Sequence, residues 1–155
     1  MIQNTMLIVA PIVLFAIFMP KKVALWELLA ASIFVYMLDL FIIQICEIKY
    51  EVFVYAYKGI QWSAIIIEAI IYPAVNSIYV NFYPYNKWFK HKIMYILIAS
   101  IAFTFGEYLF VKTGFLKYYH WKLVYSALMY PLMCVILILN QIMFRKLVYK
   151  ETVHK

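Results

Sequence analysis

The sequence predicts an all-α integral membrane protein in which residues 1–155 form one domain, a helical bundle with about five transmembrane helices. The first observation is that 68% of the residues are hydrophobic, against roughly 45–50% in soluble domains. The second is that these residues form runs of about 20, the length at which a helix crosses the hydrocarbon core. Helices are expected throughout, because an open sheet would leave backbone groups unpaired in lipid.

The first two apolar runs lie at about 2–19 and 23–46. The first is short, contains Pro11, has almost no polar face and stops at Pro20, so we expect it at the periphery of the bundle. The second carries Asp39. The connection after it is rich in Tyr and Lys, a mixture typical of the headgroup level.

The remaining apolar runs lie at about 61–82, 93–111 and 123–144. The third run carries Glu68, the fourth carries Glu107, and the fifth opens with hydroxyl side chains. Polar residues recur beside these positions at steps of three and four, which places one polar stripe on each helix.

The basic residues indicate how the chain is oriented. The net charge is +7, and the Lys and Arg residues fall between the apolar runs, where they contact anionic headgroups; we therefore expect membrane lipids as partners and no nucleic acid. Nine of these residues fall on one side of the bundle and five on the other. The bias predicts a plasma-membrane protein with its amino terminus outside and its carboxyl terminus in the cytoplasm.

Three carboxyls, those of Asp39, Glu68 and Glu107, share one depth. Given the direction of each span, all three fall in the outer half of the membrane at about 1.5 Å per residue. Because an ionisable group in lipid costs several kcal/mol unless it is paired or hydrated, we expect the three to face the bundle interior together. Glu68 and Glu107 lie on helices joined by a short loop and are the expected partners in a shared hydrogen bond.

These carboxyls and the polar residues near them form the predicted ligand site. The candidates are Asp39, Glu68, Tyr72, Glu107, His120, Trp121, Ser126 and Tyr130. For the His120-Trp121 pair two interpretations stay open, an interfacial aromatic belt and the aromatic mouth of a cavity for a cationic ligand. No His-x-x-His pair, nucleophile elbow or Gly-rich phosphate loop occurs. We therefore expect neither a metal nor a cofactor, and a non-enzyme more readily than an enzyme.

From Glu68 onward the chain resembles a known family, and the likeness covers most of the chain. The motifs are Glu68 with Tyr72-Pro73, the run Asn81-Phe-Tyr-Pro-Tyr-Asn-Lys87, Glu107 ahead of Lys112-Thr-Gly114, and Trp121-Lys-x-x-Tyr125-Ser126-x3-Tyr130-Pro131. They resemble small multi-pass membrane proteins of endospore-forming Gram-positive bacteria, a family without an assigned activity. Many members have Trp after the fourth-span acid, where this chain has Tyr108. The resemblance implies a helical bundle in a bacterial plasma membrane.

Three classes of function remain open at this stage. In the first, an outward-facing acidic and aromatic cavity binds or passes a small polar or cationic ligand. In the second, the protein is a structural or accessory subunit whose polar stripes only pack helices, with other membrane proteins as partners. In the third, it is an intramembrane enzyme acting on a lipid, with one carboxyl as acid and another as base.

Overall fold

Five helices carry the fold, which confirms the all-α prediction for the part of the chain that the structure describes. This computed structural model describes residues 2–56 and 61–153. The helices are α1 (Ile2–Phe18), α2 (Leu25–Ile43), α3 (Trp62–Phe82), α4 (Phe89–Thr113) and α5 (Leu123–Val153). A π-helical segment, Gln44–Lys49, continues α2, and two short strands, β1 (Phe53–Tyr55) and β2 (Leu116–Tyr118), pair with each other.

Four of these helices are long and apolar enough to cross a membrane, within the residues described: α2 with its π-helical extension, α3, α4 and α5. Helix α1 has only 17 residues, or about 25 Å, which is shorter than a hydrocarbon core of about 30 Å. Its buried residues are Thr5, Val9 and Ala16, and it packs mainly on α3. The protein is thus a multi-pass membrane protein with four long spans and one shorter apolar helix.

Successive helices run in opposite directions between two ends of the bundle. At one end, called here the strand end, β1 pairs with β2 and the Thr5 hydroxyl donates to Thr113 at 3.3 Å. At the other, the Arg145 end, α2 begins and α5 carries Arg145 against Glu27. Helices α1, α3 and α5 therefore start at the strand end, while α2 and α4 start at the Arg145 end.

The strand pair was not predicted from the sequence. Strands β1 and β2 are antiparallel, with Phe53 opposite Tyr118 and Tyr55 opposite Leu116. Backbone bonds extend the pairing at one edge, since the Ala56 N–H donates to the Phe115 carbonyl at 2.6 Å. Such a sheet is compatible with a membrane protein because it lies in the connections beyond the helix ends, where water and headgroups can satisfy its open edges.

At the Arg145 end, Asn81 fixes the connection between α1 and α2. Its Oδ1 accepts the backbone N–H of Lys22 at 2.7 Å and of Val23 at 3.3 Å, and its Nδ2 donates to the Pro20 carbonyl at 2.9 Å. Asn81 is buried. The Asn81 side chain thus supplies hydrogen bonds to backbone groups of a turn after Pro20 that have no helix or strand partner.

Candidate functional site

The Glu107 carboxyl is enclosed by hydroxyl groups near the end of α4. Tyr118 from β2 donates to Oε1, Ser126 from α5 donates to the same oxygen at 2.6 Å, and Tyr130 donates to Oε2 at 2.6 Å. Ser126 and Tyr130 are one helical turn apart, so one face of α5 supplies both donors. Three hydroxyl donors from two elements satisfy this carboxyl on both oxygens, and hydrogen bonds to an ionised acceptor are the strong ones.

Trp121 extends this group toward the strand pair. Its indole Nε1 donates to Ser126 Oγ at 2.7 Å, while the Ser126 hydroxyl in turn donates a hydrogen bond to Glu107. The ring also packs edge-on against Phe53 of β1 and Tyr125 of α5, with centroids 6.4 and 5.5 Å apart. Trp121 therefore holds the start of α5 against the strands in addition to any contact with the membrane interface.

Tyr118 lies beyond the helices, in β2, and its environment fixes its role as a donor. Burial raises the pKa of Tyr118, and the hydrogen bond and negative charge of Glu107 raise it further. The hydroxyl consequently stays protonated across the physiological range and donates a hydrogen bond to Glu107.

Asp39 and Glu68 form a second acidic group, called here the carboxyl pair. Both are buried, at 7% and 4% exposure, and Asp39 is close enough to act electrostatically on Glu68. Asp39 Oδ2 and Glu68 Oε1 are fully enclosed and have no hydrogen-bond partner. Glu47, in the π-helical segment and half-buried, acts on both. Unlike Glu107, the carboxyl pair has oxygens to which no hydrogen-bond donor is bonded.

Two tyrosines connect the carboxyl pair to the strands. The Tyr72 hydroxyl is a hydrogen-bonding neighbour of Asp39 and lies 2.6 Å from the hydroxyl of Tyr55 in β1. The Tyr55 backbone N–H in turn donates to the Glu47 carboxyl. Burial raises the pKa of Tyr55, followed by the charges of Asp39 and Glu68, so this hydroxyl is also protonated at neutral pH. Tyr55 is also in electrostatic range of Glu107 and is thus a neighbour of both acidic groups.

The structure distributes the predicted site residues over these two groups. Glu107, Trp121, Ser126 and Tyr130 form one group, while Asp39, Glu68 and Tyr72 form the other and contact Tyr55 through the Tyr72 hydroxyl. The expected hydrogen bond between Glu68 and Glu107 is not among the contacts of the described residues. Instead, hydroxyl groups bond both Glu107 oxygens, and Asp39 is the acid beside Glu68. The His120 side chain is exposed, and its backbone N–H donates to the Val52 carbonyl at 3.0 Å.

Helix contacts explain this arrangement. The expected neighbours α3 and α4 share few contacts, whereas α3 packs extensively on α2 and α4 on α5. Glu68 on α3 therefore meets Asp39 on α2, and Glu107 on α4 meets the hydroxyls of α5.

Sequence reasoning overlooked a buried charge at the Arg145 end. Glu27, at the start of α2, accepts from Arg145 Nε at 2.5 Å and from Gln141 Nε2 at 2.9 Å. The Arg145 guanidinium lies over the Tyr85 ring, 4.0 Å from its centroid. A signal was present, since an acid in the first turn of an apolar span and a basic residue just past the end of another belong at one membrane level.

No group of three or more His, Cys, Asp or Glu side chains able to hold a metal ion occurs within residues 2–56 and 61–148, whose side chains the structure describes. Comparison of the chain with protein-family models, curated proteins and solved structures finds no match. The resemblance drawn from the motifs between Glu68 and Pro131 therefore stays a prediction.

Proposed function

We propose that this multi-pass membrane protein binds a small cation at the carboxyl pair of Asp39 and Glu68, and that the cation is a proton. One observation carries the proposal: each carboxyl is buried, and each has an enclosed oxygen without a hydrogen-bond partner. Two buried carboxylates at close range repel each other and lose their hydration. A cation shared between them removes both costs.

A proton suits this geometry better than a larger ion. Protonation turns one carboxyl into a donor that can serve the free oxygen of the other, with no coordination shell to build. A metal ion takes several more oxygen ligands than two side chains supply. Acidic side chains inside membranes also commonly serve as proton relays in pumps and transporters.

Glu47, Tyr55 and Tyr72 provide a route for the proton to the strand end. Glu47 is half-buried and acts electrostatically on both members of the pair. The two tyrosine hydroxyls, 2.6 Å apart, are neutral groups that can each accept one proton while giving up another. We propose that this end faces the outside of a plasma membrane, as the distribution of Lys and Arg favours.

A structural role is the second candidate function, and the Glu107 group favours it. A carboxyl bonded by three hydroxyls from β2 and α5 ties these elements to α4. In this alternative the carboxyl pair would serve helix packing in the same way, and the protein would be an accessory subunit of a membrane complex.

Infrared spectroscopy of the protein in lipid nanodiscs tests for the shared proton. The expected result is a carbonyl stretching band of a protonated carboxyl at neutral pH that disappears in Asp39→Asn and in Glu68→Gln. Glu107→Gln is the matched control, because it removes a half-buried acid of the hydroxyl-bonded group, and this variant should keep the band. A spectrum at neutral pH without a band that depends on Asp39 or Glu68 refutes the proposal.

A further inference from the structure

An apolar groove runs between α3 and α4, where these two helices separate. It has a volume of about 220 Å³ and is lined by Val75 and Tyr79 of α3 and by Tyr95, Ala99, Ala102 and Phe103 of α4, among others. Its two tyrosine hydroxyls are engaged, that of Tyr79 with the Cys134 carbonyl at 3.1 Å and that of Tyr95 with the Tyr79 carbonyl at 2.8 Å. The groove therefore offers only apolar surface to an occupant.

A basic and aromatic surface lies at the end of this groove. A second cavity, lined by Trp88, Phe89, Lys90 and His91, marks the start of α4. Lys87 and Lys92 flank it, and the sequence contains no Asp or Glu between residues 69 and 106. The Nδ1 atom of His91 is buried without a hydrogen-bond partner. The stretch 87–92 thus carries only positive charge, and Trp88, with 82% of its surface exposed, is of the type that lies at the headgroup level.

The two surfaces follow one face of α4. Positions 88, 92, 95, 99 and 102 recur at steps of four and three, and His91 lies beside Lys92, so the basic surface and the groove are continuous. From 91 to 102 the helix rises about 16 Å, roughly half of a 30 Å hydrocarbon core. The combined site therefore has the depth of one leaflet, which suits a lipid better than a helix that crosses both leaflets.

We propose that this site binds an anionic phospholipid, with an acyl chain in the groove, the phosphate on His91 and Lys92, and Lys90 of the adjoining cavity adding positive charge. Charge complementarity selects an anionic headgroup, since each Lys or Arg near a membrane surface attracts anionic lipid. The chain fills a concave apolar surface that α3 and α4 leave open to the bilayer. The site is separate from the carboxyl pair and does not depend on the function proposed above.

Native mass spectrometry of the full-length protein tests the proposal. The protein is released from micelles containing phosphatidylglycerol or phosphatidylcholine, and retained lipid is titrated. We expect phosphatidylglycerol to be retained preferentially, and the double substitution Lys90→Gln with Lys92→Gln to weaken its binding roughly 30-fold. The control Lys112→Gln removes a charge at the strand end and should leave the affinity unchanged.

Variants in the groove separate lipid binding from surface charge alone. Ala99→Phe fills the groove and should reduce phosphatidylglycerol retention at least tenfold, whereas Ile101→Phe, on the same helix but 70% exposed, should not. Circular dichroism and elution as a single species establish that each variant is folded. Equal retention of the two lipids, or full retention by Ala99→Phe, would overturn the proposal. Loss of a dimer in Ala99→Phe with lipid retention unchanged would instead identify a second copy as the occupant and would also overturn it.

Discussion

Arg145→Met should destabilise the protein strongly, because it leaves Glu27 buried without its charge partner. The Glu27 side chain is 8% exposed and that of Arg145 is 25% exposed. Removing one member of a buried ion pair costs about 3–5 kcal/mol. Since Arg145 is partly solvated and Gln141 still donates to Glu27 at 2.9 Å, we expect a loss near the lower limit, about 3 kcal/mol. The contact with the Tyr85 ring adds about 0.5–1 kcal/mol.

The assay is reversible unfolding in mixed micelles with increasing denaturing detergent, followed by circular dichroism. A double-mutant cycle isolates the pair: Glu27→Gln with Arg145→Met should be more stable than Arg145→Met alone, because no charge is then left buried. Lys146→Met, at the neighbouring exposed position, is the control and should change stability by less than about 0.5 kcal/mol. If Arg145→Met matches this control, or if the two substitutions are simply additive, Glu27 and Arg145 are not coupled as argued here.

Two further outcomes follow from polar side chains that serve the backbone or another side chain. Asn81→Ala should cost about 2–4 kcal/mol, because it removes the hydrogen bonds that satisfy the α1–α2 connection; exposed Asn86→Ala is the control in the same unfolding assay. The raised pKa of Tyr118, ordinarily 10.0, means that the folded state retains a proton that the unfolded state loses above pH 10. Stability should therefore fall as pH rises beyond 10, and Tyr118→Phe should make this decline shallower than wild type or Tyr50→Phe. Equal slopes would contradict the Tyr118–Glu107 bond.

The apolar runs predicted the helices well, because hydrocarbon permits few other backbone structures. Helix α4 nonetheless begins at Phe89 rather than 93, and α5 continues to Val153 rather than ending at 144. The extra residues at both helix ends include Lys, Arg or His, so a hydropathy criterion excludes them from the predicted span. A helix that continues out of the membrane can include them, because their charged ends reach water. The strand pair also had a local signal, since Val52-Phe-Val-Tyr55 and the run around Leu116 are rich in aromatic and β-branched residues.

The pairing of the acids could not be read from depth alone. The sequence predicted Asp39, Glu68 and Glu107 at one level of the membrane. In the structure, each acid contacts the helix that packs against the helix carrying that acid. Which helices pack together depends on the side chains along entire interfaces. One contact between α3 and α2 is the hydrogen bond from Asn76 Nδ2 to the Ala31 carbonyl at 2.8 Å. Connection length favours α3 and α4 as neighbours, yet packing brings α2 to α3 and α4 to α5.

The pairing of β1 with β2 also constrains the order in which the protein assembles. Phe53 emerges from the ribosome long before Tyr118, and α3 and α4 must both enter the membrane between them. Until then Tyr55, which is in electrostatic range of both acidic groups, has no strand to fix its position. We therefore expect the acids to stay accessible to water during insertion and to become enclosed only when the last helix arrives. A chain truncated before β2 should keep its first spans and lack the enclosed carboxyl pair.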